Sequence, residues 1–320
     1  MAPSFSSLPI VDVSMLSQTI PSPVSLAVLS QQLYDAFSAT GFAYLINAPL
    51  RFGHEEVFGL ASDFFSIEHA EKMKLAKKTF ANRNGNTYRG YFPQQAGQQD
   101  NLKEGFEIGP PEPPQQTADS RHLRVDLGEA NVWPEDARFA GRRKQFEKLH
   151  QELQALSATL LSLLAVALKK PADYFESDEV KLCCMPHTDS GILTLLHQDE
   201  TGGLEVLNAD GKWIAAPYVP GSIVVNIGDL LAEVSDGQFV ATMHRVRTNT
   251  GERTNGAGRL SIPFFFEPGE KCVVRSMDGE RAVVYGEHIR RKMATWVEYE
   301  DLPDIAQVEV VANGIPIEAH

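Results

Sequence analysis

His187, Asp189 and His244 carry the residue types of an iron site. Two imidazoles and one carboxylate are the protein's share of a facial triad, which holds Fe(II) and leaves coordination positions open. Residues i and i+2 of a β-strand point to the same face. A strand through His187 and Asp189 would therefore turn both side chains toward one ion and Thr188 away from it. His244 would come from a second strand, on which Val240, Thr242, His244 and Val246 share a face. A third strand begins at Arg259, with Arg259 and Ser261 to one side and Leu260, Ile262, Phe264 and Phe266 to the other. A guanidinium beside a hydroxyl anchors a carboxylate through directed, charge-assisted hydrogen bonds. Pro263 and Phe265 share the anchor's face, while Phe264 and Phe266 belong to the core.

Zinc is the rival metal, since two histidines and a carboxylate also occur in zinc hydrolases. Those sites place their histidines on a helix with a general base close by, and no Glu follows His187 in that pattern. The remaining histidines are set aside. His54, His69, His122 and His288 have polar or charged neighbours, and His320 is the last residue. His150 lies on a helix, at its surface or core edge, and His197 is ten residues from His187, too far along an extended chain to share its ion.

The elements around these residues are readable in outline. Strands are expected at residues 8–13 and 42–46, and helices at 24–39, 54–65 and 69–77, with Gly41 closing the first helix. Residues 80–120 are rich in Asn, Gln, Gly and Pro, and embed Tyr88, Tyr91, Phe92 and Phe106. A loop of that length with buried-type aromatics reads as a packed lid bordering a substrate pocket. Phe146, Leu149, Leu153, Leu156, Leu160, Leu163 and Ala167 step by three or four, the stripe of a long amphipathic helix over 140–168. Strands follow at 191–198, 203–208, from Trp213, and at 222–226, with turns at Asp210-Gly211 and Pro220-Gly221. More strand over 271–276 and a helix over 286–296 complete the chain.

Composition narrows the partners. A charge of −13, from 29 basic against 42 acidic residues, argues against nucleic acid or an anionic membrane. Three cysteines, two of them the adjacent Cys183 and Cys184 and the third Cys272, are too few for a disulfide framework and read as reduced thiols of a cytoplasmic protein. The longest strongly apolar run, residues 160–168, is too short to span a bilayer. No leader is visible at the N-terminus. Oligomeric state is not legible.

The run HTDSGILTLLHQDETGGLEVLNADGKWIAAPYVPGSIVVNIGDLL, then TMHRV, then RLSIPFFFEP, resembles the isopenicillin N synthase-like branch of the 2-oxoglutarate/Fe(II) dioxygenases. The likeness extends upstream through SLPIVDVSML, ATGFAYLINAPL, FFSIEHAEKMKLA and YRGYFP. It implies a mainly β fold, a double-stranded β-helix (jelly roll) with packed helices. One catalytic unit would span 1–320, with a helix-rich region at 1–175, the jelly roll at 176–285, and a helix and tail at 286–320. His187, Asp189 and His244 would hold Fe(II). 2-Oxoglutarate would chelate the metal and place its distal carboxylate on Arg259 and Ser261. O2 would be the co-substrate, succinate and CO2 the by-products, and a small organic molecule would be hydroxylated or desaturated. The polar stretch 247–258 is similar to that of microbial members acting on specialised metabolites or bases.

One departure stands out. Members carry a strand like R-L-L-H-Y-P before the His-x-Asp segment, its Tyr helping to hold 2-oxoglutarate. Here only ESDEVKLCCMP separates Phe175 from His187, with Met185 where that Tyr would stand if the strand is degenerate, and no Tyr at all if it is missing. Weakened cosubstrate binding is the expectation. It keeps two alternatives in view: an Fe(II) oxidase using O2 alone, as the founding member of the family does, and a non-catalytic binding protein of the same fold.

Overall fold

Ser22 opens the first helix by accepting the Ser25 N–H on its hydroxyl at 3.0 Å, with Pro23 at a position that needs no donor. The computed structural model describes residues 4–95, 103–112, 125–136, 139–175, 187–247, 258–296, 299 and 305. β1 (Ile10–Asp12) precedes α1 (Pro23–Ala39), and β2 (Phe42–Ile46) follows it. Gly41 joins helix to strand at φ +68°, and a Cβ there would lie 2.1 Å from the Val240 carbonyl oxygen. Only glycine satisfies both demands. α2 (His54–Phe65) comes next, then α3 (His69–Met73), shorter than the expected 69–77. The chain leaves α3 early because Tyr91 takes its backbone groups: Tyr91 N donates to the Leu75 carbonyl, and Lys77 N donates to the Tyr91 carbonyl.

The segment expected to be loop contains a short antiparallel pair, β3 (Gly90–Phe92) with β4 (Gly105–Glu107). Its aromatics are packed as expected. Tyr88, Tyr91 and Phe92 are buried, and the Phe106 ring stacks on Phe64 with centroids 3.9 Å apart. α4 (Ala140–Ala167) follows the predicted stripe but buries a wider band, adding His150, Ser157, Leu161, Leu164 and Ala165. It is sandwiched between α1 and the sheet, so one apolar face is not enough. His150 lies at the core edge, its ring 5.1 Å from that of Phe264.

β5 (Leu193–Gln198), β6 (Leu204–Leu207), β7 (Trp213–Ala215) and β8 (Ser222–Ile227) then lead into α5 (Asp229–Val234). β9 (His244–Val246), β10 (Ser261–Phe266), β11 (Val273–Arg275), β12 (Ala282–Val284) and α6 (Tyr285–Met293) complete the elements. Two sheets face each other. The larger runs β1-β2-β8-β5-β10 and the smaller β7-β6-β9. Thus the N-terminal region adds two strands to the large sheet as well as its helices.

Alternation sorts the large sheet's side chains. Phe42, Tyr44, Leu196 and Val224 point inward and pack against Leu204 and Val206 of the small sheet. Ala43, Leu45, Leu193, Leu195, Ile223 and Val225 point outward to the layer of α1 and α4. The architecture is the jelly-roll sandwich with helices on one face. At about 25 cal/mol per Å2 of apolar surface removed from water, these two layers supply the main driving force for folding. The shortened stretch before His187, with Cys183, Cys184 and Met185, lies outside the described residues, as does nearly all of the polar stretch before Arg259.

Candidate active site

Asp189 sits at the end of the sandwich where three elements converge. The chain here is not the regular strand expected from the His-x-Asp spacing. His187 makes an isolated antiparallel bridge with His244, and residues 188–189 are irregular. The bridge consists of His187 N donating to the His244 carbonyl at 3.3 Å and His244 N donating to the His187 carbonyl at 3.1 Å. It sets the two imidazoles side by side, centroids 4.4 Å apart. β9 is also shorter than expected, so Val240 and Thr242 precede it, and Val246 is 48% exposed.

Asp189 Oδ1 lies 3.0 Å from His187 Nε2 and 3.7 Å from His244 Nε2. One ligand atom from each residue falls within 4.8 Å of the others, and among the described residues this is the group of His, Cys, Asp or Glu so arranged. His244 Nδ1 donates to the Thr242 carbonyl at 3.2 Å, which directs the lone pair of Nε2 toward the carboxylate. Phe42 packs edge-on against the same ring, 5.3 Å between centroids.

Asp189 Oδ2 is occupied differently. It accepts hydrogen bonds from the Thr194 hydroxyl and from Asn226 Nδ2, the latter at 2.7 Å. Thr194 on β5 and Asn226 on β8 are cross-strand partners on the inward face. One carboxylate oxygen is thus tied to the sheet while the other faces the imidazoles. Burial by itself raises the Asp189 carboxyl, but His244, His187 and Thr194 outweigh it and hold the group well below the usual carboxylate range. The backbone is pinned too. Asp229 N donates to the Asp189 carbonyl at 2.6 Å, and Leu230 N to the Gly191 carbonyl at 3.1 Å. The start of α5 therefore clamps the loop carrying the carboxylate. His288 of α6 donates from Nε2 to the Ser190 carbonyl at 2.9 Å.

Sequence reasoning did not find Thr194, Asn226, Asp229 or His288. A signal existed for Thr194 and Asn226, polar residues at inward positions of otherwise apolar strands, but only cross-strand register shows that they meet Asp189.

Arg259 lies just before β10, with Nη1 donating to Ser261 Oγ at 2.8 Å and Nε donating to the Gly202 carbonyl at 2.8 Å. The register of β10 on β5 pairs Ser261 with Gln198 and Phe265 with Thr194. The guanidinium–hydroxyl pair and the His-Asp-His group therefore mark two ends of one inward face, about 13 Å apart along the strand at 3.3 Å per residue. Of the described histidines set aside in the sequence, His288 braces the Ser190 carbonyl and the others stand apart from the group. His54 packs on Phe58 and Tyr218, His69 on Tyr91, and His197 is buried on the helix-facing side of β5. His122 and His320 fall outside the described residues.

Residues 166–268 match the profile of the 2OG-Fe(II) oxygenase superfamily, and residues 8–136 that of the non-haem dioxygenase in morphine synthesis N-terminal region. Homoarginine-6-hydroxylase 2-ODD-C23.1 of Arabidopsis thaliana is 30% identical over 352 residues, covering 92% of this chain and 99% of the relative. The chain belongs to the 2-oxoglutarate/Fe(II) oxygenases. The oxygenase of Metarhizium majus termed 2-oxoglutarate-Fe(II) type oxidoreductase ppzC is 28% identical over 86% of this chain and 82% of its own length. In fold, this oxygenase is similar to a full-length Neurospora crassa protein solved in complex with alpha-KG, at a TM-score of 0.73 and 23% identity, covering 92% of this chain and all of that one. The Arabidopsis alignment is longer than the 320 residues of this chain, so that relative holds segments absent here.

Family membership makes the protein an enzyme that uses Fe(II) and 2-oxoglutarate. The residues present fit both. Two imidazole nitrogens and a carboxylate oxygen are the donor set of non-haem Fe(II), and a guanidinium braced by a hydroxyl suits a carboxylate. No helix among the described residues is long and apolar enough to cross a membrane.

Proposed function

We propose that His187, Asp189 and His244 hold Fe(II), that Arg259 and Ser261 bind the distal carboxylate of 2-oxoglutarate, and that the enzyme hydroxylates or desaturates a small organic molecule. The observation that carries this reading is the convergence of Nε2, Oδ1 and Nε2 from three separated residues on one buried point. When bound, the metal and 2-oxoglutarate supply oxygen activation and the oxidising equivalents. The chain supplies placement. Thr194 and Asn226 fix which Asp189 oxygen faces inward. The Thr242 carbonyl fixes the His244 tautomer, and the α5 start holds the loop. Phe42, Leu196 and Val224 line an apolar interior that excludes water.

The small-molecule substrate is supported by relatives named for homoarginine hydroxylation and by the same Neurospora crassa protein solved with alpha-KG and thymine. We further read residues 1–320 as one catalytic unit. Its main apolar core draws on residues from Val11 to Ile305, and β1 and β2 complete the large sheet.

Anaerobic titration of the Fe(II)-loaded protein with 2-oxoglutarate tests the assignment. The expected result is the weak visible charge-transfer band of the chelate, its loss in Arg259→Ala at the same ligand concentration, and succinate on admission of O2. A band unchanged in Arg259→Ala would remove Arg259 from the cosubstrate site. Iron binding undiminished in Asp189→Ala would overturn the triad.

A further inference from the structure

Beyond the metal and the anchor, the inward face of β10 carries one more ionisable group, Glu267. The ladder continues past the end of β10, where Ile192 N donates to the Phe266 carbonyl at 3.1 Å. That carries the alternation Ser261, Pro263, Phe265 one step further, to Glu267 at the metal end. The side chain lies across Gly191, two residues after Asp189. A Cβ on Gly191 would come within 2.4 Å of Glu267 Cγ and 2.9 Å of Oε1. Gly191 is therefore required for Glu267 to occupy this place.

Glu267 is 2% exposed. Tyr285 hydrogen-bonds its carboxyl, yet Oε2 is buried with no hydrogen-bond partner among the described residues. A buried polar atom left unsatisfied is costly, so such atoms are rare unless a ligand completes them. A second one belongs to the same buried cluster. Arg89, fully buried, donates to the carbonyls of Leu127 at 2.7 Å and Glu129 at 3.2 Å, while its Nη1 has no partner among the described residues. Glu267 and Arg89 each feel the other's charge without forming a pair. Neither group is used in holding iron or 2-oxoglutarate on the reading above.

We propose that Glu267 is a specificity-determining residue that accepts a hydrogen bond from an N–H group of the substrate, so that the enzyme acts on a nitrogen-bearing molecule. This rests on the assignment of the metal and cosubstrate sites. The N–H belongs either to a cation such as a guanidinium or to a neutral ureide or amide; both offer the donor that Oε2 lacks. Burial keeps the Glu267 carboxyl well above its usual range, with the Tyr285 hydrogen bond opposing that shift and Asp189 adding to it. Proton release on uptake is the mark of a cationic head, because a cation favours the charged carboxylate, and a neutral head gives none.

The test uses the anaerobic holoenzyme with Fe(II) and 2-oxoglutarate, L-homoarginine as cationic probe and thymine as neutral probe. Binding is read as a perturbation of the visible band and by calorimetry in two buffers of different ionisation heat. The expected result is that one probe binds, and that Glu267→Leu weakens it by about tenfold or more while the 2-oxoglutarate band is unchanged. Glu267→Gln, which keeps a carbonyl acceptor and covers the case in which the leucine variant misfolds, retains the thymine response and loses the homoarginine one. Equal binding to wild type and both variants, or no binding of either probe to wild type with its band present, overturns the proposal. Absence of the band in wild type instead defeats the cosubstrate assignment, and this inference with it.

Discussion

Replacing Asn226 by leucine, close to it in size and unable to donate, removes one of the two hydrogen bonds on Asp189 Oδ2. Asn226 is 3% exposed and Asp189 5%, so water does not readily take the vacated place. A hydrogen bond to a charged group is worth about 1.5–3 kcal/mol, or about 10- to 150-fold if expressed wholly in metal affinity. Groups that orient a metal ligand from behind are typically worth about 10–100-fold. Because the Thr194 hydroxyl still holds Oδ2, the lower end, about tenfold, is expected. Anaerobic titration of the apoprotein with Mn(II), followed by its loss of free-ion EPR signal, measures it, with apoprotein melting temperature as a folding control. Affinity within about twofold of wild type, in a variant that folds normally, would refute the idea that Oδ2 must be held by the sheet. Thr194→Val should behave alike, and the double variant gives the coupling between the two donors.

Three further outcomes follow from the packing. Burial pulls the His150 and His197 imidazoles down to about 4, so both are neutral in the folded protein. The unfolded chain, with imidazoles near 6.5, takes up protons first as pH falls. Stability from these groups is therefore complete above about pH 6.5 and declines toward pH 4, by up to about 1.4 kcal/mol per pH unit for each. His150→Leu should flatten that decline in denaturant titrations between pH 7 and 5; an unaltered slope refutes it. Lys77, 1% exposed, pairs with Glu107 at 2.5 Å and is ringed by Tyr88, Phe92 and Tyr299. Lys77→Met should cost about 3–5 kcal/mol by stranding a buried charge, and Lys77→Met with Glu107→Leu should recover much of it. A single variant as stable as wild type in urea would show that the pair is not needed. Gly41→Ala, facing both a positive φ and the Val240 carbonyl, should lower the melting temperature by several degrees, whereas Gly211→Ala, with open space, should lower it less.

The residues proposed for the site were legible because their types and alternation are local properties. His-x-Asp, the distant His244 and Arg-x-Ser could be read as ligands and anchor from spacing, and the outline of β2, α1, α2 and α4 from apolar periodicity and caps. The jelly roll came from the likeness of the motifs to a family, since no pattern along the chain says which strands pair. What stayed hidden depends on register. Thr194 and Asn226 hold Asp189 because β5 and β8 pair with these two residues opposite each other, a relation between positions over thirty residues apart. The strand expected through His187 and Asp189 shrinks to a single antiparallel bridge between His187 and His244, with residues 188–189 irregular, and α3 stops early because Tyr91 competes for its last turn. Glu267 looks like any residue after a strand; its burial over Gly191, with an oxygen unpartnered among the described residues, arises only when β10 is laid beside β5. Side-chain type and spacing set which chemistry was available, and long-range backbone pairing decided which atoms face it, since hydrogen-bond direction is fixed by neighbours in space and not by neighbours in the chain.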